Sequence, residues 1–204
     1  MKLKEIIHEL EEHLPFTLMA TLVSMVLIVI SLRENWIKEM TPIFYLFHPA
    51  HVILSALVSS AIFYNYKKKI IPSMLTGIII SIIICSISDI IFPYLGSSLF
   101  GVPISFHLPT LENPLIILVA GLIGAVAGIT IKKTKVPHFL HVFISIFASL
   151  FYIFAYARAF SFMNLIFILI VTSISVVIPC CLGDIVLPLL IKEKLIFKKK
   201  TSKK

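Results

Sequence analysis

The chain has 204 residues, 59% of them hydrophobic, a mean hydropathy of +1.05 and a formal net charge of +8. Apolar runs near the length of a bilayer-crossing helix alternate with short polar breaks, a pattern that excludes an ordinary water-soluble globule. The lysines gather in those breaks and at the C-terminus rather than along one solvated face, so nucleic acid is not an expected partner.

In chain order, Met1 to Glu12 mixes Lys2 and Lys4 with Glu5, Glu9, Glu11 and Glu12. No small-residue cleavage site follows, so no cleaved signal peptide is expected. Six apolar spans come next, at 15–32, 43–65, 70–95, 113–131, 137–157 and 160–191. The sixth is longer than a span requires and contains Pro179 and Pro188, which predicts a bend or break. The expected fold class is an all-α integral membrane protein with six transmembrane helices. If the N-terminus is cytoplasmic, fifteen of the eighteen basic side chains fall in inner segments, leaving Arg33, Lys38 and Arg158 outside. This positive-inside bias predicts a multi-pass protein of the cell membrane with both termini in the cytoplasm. The lysine-rich tail would lie on anionic lipid of the bilayer, its main macromolecular partner, and association of identical copies is left open.

A motif is written twice: His48-x-x-His51-Val52-x-x-Ser55-x-x-x-Ser59 and, 90 residues on, His138-x-x-His141-Val142-x-x-Ser145-x-x-x-Ser149. Two flanking blocks recur in the same order. Cys85-x-x-x-Asp89-Ile90-x-x-Pro93 matches Cys180-x-x-x-Asp184-Ile185-x-x-Pro188, and His13-Leu14-Pro15 matches His107-Leu108-Pro109. The chain therefore reads as an internal repeat, residues 1–95 and 96–204. Three spans per half is an odd number, so the halves would cross the membrane in opposite senses, giving two inverted-topology repeats of three.

Topology then sorts the polar residues by membrane face. His48, His51, Asp89 and His107 would form an outer cluster, and His138, His141, Asp184 and His13 an inner one. Histidines at i and i+3 share a helix face, as do Cys85 with Asp89 and Cys180 with Asp184 at i and i+4. Glu112 breaks the symmetry and could join the outer set. Imidazole with carboxylate suits zinc, iron, manganese, cobalt or nickel, and a thiolate from Cys85 or Cys180 would favour softer ions. The cysteines also fit as inert core residues, and the four serines of the repeat read as helix-packing contacts rather than ligands. Asp89 and Asp184 resist such a reading, because a carboxylate inside a membrane needs a cation, a proton or a donor network. Pro93, four residues after Asp89, is expected to free that aspartate's backbone carbonyl.

The function expected from these residues is a permease for a divalent transition-metal ion, using histidine and aspartate clusters near the outer and inner faces. The alternatives are an intramembrane metal-dependent hydrolase, with Glu112 as its base, and a non-catalytic accessory subunit. No phosphate-binding glycine loop, nucleophile elbow or HExxH motif occurs, which removes several other enzyme classes.

Overall fold

The computed structural model describes residues 3–34, 39–131, 135–158, 162–181 and 183. Side chains are described for these except at 3–14, 16, 32, 135–139, 162, 163 and 181. The described residues form helices α1 (Leu3–Arg33), α2 (Thr41–Lys67), α3 (Ile70–Ser86), a π-helical turn (Ile87–Ile91), α4 (Phe92–Leu99), α5 (Pro109–Glu112), α6 (Pro114–Ile131), α7 (Lys135–Tyr156) and α8 (Phe162–Cys181). No strand occurs among them; one bridge joins Ile104 to Ala157.

Over its described part each expected span falls on helix, apart from the end residues Asn113 and Ala157. Among the described residues, three helices are long and apolar enough to cross a membrane: Thr41–Lys67, the composite Ile70–Leu99, and Pro114–Ile131. The solvent-type pattern of burial is reversed on them. Leu46, Ile71 and Leu115 are 67%, 71% and 72% exposed, while His48, His51, Ser55, Ser59, Ser81 and Asp89 are fully buried. Water would penalise that distribution, whereas hydrocarbon accepts the apolar exterior and pushes polar groups inward.

Local chemistry sets the helix ends. Pro42 sits in the first turn of α2, where its missing N–H costs nothing. Lys68 closes α2 in a left-handed conformation, φ 51°, and its N–H donates to Tyr64 O, so α3 can start two residues later. After α4, residues 102–105 turn back along the end of α7, where Ser105 N–H donates to Tyr156 O and Arg158 N–H to Pro103 O.

Helix α2 is the centre of the bundle, packed by α3, α6 and α7, while α1 lies against α7 and α8. Contact with α6 is close because Gly124 and Gly128 face the backbone carbonyls of Ile53 and Leu57, and Ser60 Oγ donates to Ala125 O at 3.1 Å. Helix α7 runs antiparallel to α2. Phe44 meets Tyr152 and Tyr156, Phe47 meets Phe147 and Phe151, and His51 meets His141.

That pairing corrects the expected placement of His51 and His141 in separate clusters at opposite faces. His51 lies ten residues into α2 and His141 six residues into α7. At 1.5 Å per residue they sit about 15 and 9 Å from the ends of antiparallel helices, so they meet inside the bundle.

Replacing Gly124 or Gly128 by Ala is expected to force α6 off α2 and cost about 1–3 kcal/mol, read as a lower unfolding temperature in detergent. Gly121→Ala, whose added methyl would meet Ile78 Cγ2 at 3.4 Å, should be neutral by the same measurement.

Candidate metal centre

Asp89 lies in the π-helical turn between α3 and α4, fully buried. Its carboxylate collects four donors. His48 Nδ1 is 2.8 Å from Oδ2, and His51 Nδ1 is 2.8 Å from Oδ2 and 2.9 Å from Oδ1. Ser88 Oγ donates to Oδ1 at 2.8 Å and Ser145 Oγ, from α7, at 3.2 Å. An ionised carboxylate offers about four lone-pair positions, so these donors use its capacity. Asp89, expected to be a ligand, thus stands one layer behind the imidazoles and orients them.

An ionised carboxylate only accepts, so each Nδ1 donates to it, and in the neutral tautomer that does so Nε2 is the lone-pair nitrogen. His48 Nε2 is buried and has no hydrogen-bond partner among the described residues, with Phe44 stacked on the ring at 5.6 Å. His51 Nε2 faces Cys180 Sγ at 3.8 Å, and the His51 ring stacks on His141 with centroids 4.5 Å apart. Donor atoms of His51, His141 and Cys180 all lie within 4.8 Å of one another, and all three residues are buried.

Those separations are somewhat wider than a tetrahedral ion requires. Zinc bonds of about 2.0–2.1 Å to nitrogen and 2.3 Å to sulfur place adjacent ligand atoms about 3.4–3.6 Å apart, so small side-chain shifts would close the trio. A histidine that ligates through one nitrogen while giving its other N–H to a carboxylate is the usual arrangement in metal sites. His51 with Asp89 has that arrangement already.

The π-helical turn decides which backbone carbonyl is released. Phe92 N–H donates to Ile87 O, five residues back rather than four. In that register the carbonyl left by Pro93 is that of Ser88, and Ser149 Oγ donates to it at 3.1 Å. The expectation that Pro93 frees the Asp89 carbonyl for a cation is corrected accordingly. Ser145 and Ser149, read from sequence as packing residues, hydrogen-bond to the site, Ser145 also lying 3.3 Å from Cys180 Sγ. The signal for them was their spacing of four and eight residues from His141, which keeps all three on one helix face.

His107 and Glu112 form a separate group at the end of the bundle. His107 Nδ1 lies 3.1 Å from Glu112 Oε1, its ring stacks on Tyr156 at 4.3 Å, and Tyr45 donates its hydroxyl to Glu112 Oε2 at 2.6 Å. Neither residue takes part in the Asp89 network, because the aromatic layer of Phe44 and Tyr156 lies between. Cys85 is buried in an apolar cluster with Val52, Ile117 and Ala120, outside the His51, His141 and Cys180 trio. The side chains of His13 and His138, and the whole of Asp184, lie outside the described residues. Comparison with known protein families, with curated proteins and with solved structures finds no match.

Asp89→Ala strands two buried imidazole N–H groups and two hydroxyls, and is expected to cost at least about 3 kcal/mol by thermal unfolding in detergent. Glu112→Ala, at a partly exposed group, should cost about 1 kcal/mol or less. The Tyr45 hydrogen bond, aided by His107 and the Leu108 N–H, holds the Glu112 carboxyl below its ordinary value of 4.5. A lowered folded-state value stabilises above the unfolded value and is lost as pH falls through the folded one. Wild type should therefore exceed Glu112→Gln in unfolding temperature above pH 4.5 and converge with it in more acid solution.

Proposed function

We propose that the protein is a multi-pass membrane permease for a divalent transition-metal ion, with six spans in two inverted repeats and one shared ion site where the repeats meet. The observation that carries this reading is the meeting of His51, from the first half, with His141 and Cys180, from the second, in one buried cluster. A site held jointly by two halves near mid-depth can be opened to either side when one half rocks against the other.

Helix packing supports the repeat. Helix α6, which opens the second half, lies against α2 and α3 of the first, and α1 lies against α7 and α8 of the second. Such reciprocal exchange is what an approximate two-fold relation between halves produces. The lysine distribution supports a cell-membrane location with cytoplasmic termini.

A hydrolase would need a carboxylate free to act as general base beside the ion. Both oxygens of Asp89 are engaged by donors, and Glu112 is held by Tyr45 and His107 elsewhere. The donor set therefore favours carriage of the ion over chemistry on a bound water.

Reconstituted into liposomes, the wild-type chain should carry Zn2+ or Co2+ across the bilayer. His51→Ala and His141→Ala should each lower the flux at least about 10-fold, and Asp184→Asn, at the counterpart of Asp89 in the repeat, should do the same. His107→Ala should keep most of it. Unchanged flux in both histidine variants, or tightly bound metal with no flux in wild type, would sink the permease reading.

A further inference from the structure

The donor atoms on the page narrow the ion beyond the permease reading on which this step rests. Two imidazoles and one sulfur converge, and the neighbouring carboxylate is spent on hydrogen bonds. Calcium, magnesium and manganese favour oxygen ligands, several at once. The trio offers none.

From this we infer that the site takes a thiophilic d-block ion, zinc being the type, bound by the Cys180 thiolate together with His51 Nε2 and a ring nitrogen of His141. Cys180 is fully buried, with its sulfur 3.8 Å from His51 Nε2 and 3.3 Å from Ser145 Oγ. When the ion enters, the Cys180 S–H bond breaks, the sulfur–metal bond forms, and the proton leaves to solvent. Ser145 links the two anionic groups of the site. Its one hydroxyl hydrogen can serve Asp89 Oδ1, 3.2 Å away, or a sulfur that has lost its own proton. The thiolate and the Asp89 carboxylate together supply two negative charges, which balance a divalent ion in a buried place where excess charge is costly.

Cobalt(II) is the probe, because tetrahedral cobalt–thiolate bonding gives a near-ultraviolet charge-transfer band that nitrogen or oxygen ligation lacks. Detergent-purified full-length protein should develop that band with about one cobalt per chain, since one such trio is found among the described residues. Zn2+ should abolish it, and excess Ca2+ or Mg2+ should leave it intact. The band should survive in the double variant Cys85→Ser/Cys181→Ser and vanish in Cys180→Ser. X-ray absorption of the zinc-loaded wild type needs no variant and should show a sulfur scatterer at about 2.3 Å. Cobalt bound without the band, a band that persists in Cys180→Ser, or a zinc shell of nitrogen and oxygen alone overturns the thiolate assignment. Liposome flux separates this outcome from the parent reading. Flux without the band rejects Cys180 ligation and keeps the permease, while the band without flux does the reverse.

Discussion

One buried carboxylate organises this molecule. Asp89 has no contact with solvent, and an isolated charge there would be costly enough to unfold the bundle. It is satisfied by donors from three places in the chain: Ser88 beside it, His48 and His51 on α2, and Ser145 on α7. Each donor fixes a helix position as well as a hydrogen bond. The carboxylate thereby pins the π-helical turn, α2 and α7 to one another, and it orients the ring so that His51 Nε2 faces Cys180.

Around that point the protein is built inside out. Hydroxyl groups line the helix contacts and mostly turn back on their own helix, as Thr21 does on Thr17 O at 2.7 Å and Ser175 on Val171 O at 2.7 Å. These local bonds satisfy the polar atoms without joining them to the site. Many leucines and isoleucines, Leu46, Ile71 and Leu115 among them, face outward, where lipid can cover them. With no hydrophobic drive between helices in lipid, close approach matters more, and the glycines of α6 let it lie on the α2 backbone.

The irregular backbone at Ile87–Ile91 serves the same centre. An extra residue in the turn shifts the hydrogen-bond register and moves the consequence of Pro93 from the Asp89 carbonyl to that of Ser88. Ser149 fills the gap, four residues beyond Ser145, which binds the Asp89 side chain. One face of α7 thus supports both the backbone and the carboxylate of the turn. Firm support of this kind fixes the orientation of the imidazoles that Asp89 holds.

The sequence by itself determined the helical class, the apolar runs that the described helices follow and the residues worth watching, because hydropathy over 20 residues and the cost of buried charge are local properties. The repeated His-x-x-His motif and the Cys-x-x-x-Asp spacing were legible for the same reason. Which of those residues meet was decided only by tertiary structure. Antiparallel packing of α2 on α7 joined His51 to His141, whereas a reading by membrane face had kept them apart. It also turned Asp89 toward imidazole N–H groups, brought Cys180 rather than Cys85 to the donor trio, and left His107 with Glu112 behind an aromatic layer. Depth along a helix follows from residue number, but the level at which two helices cross depends on side-chain fit over their whole length, and no short motif encodes it.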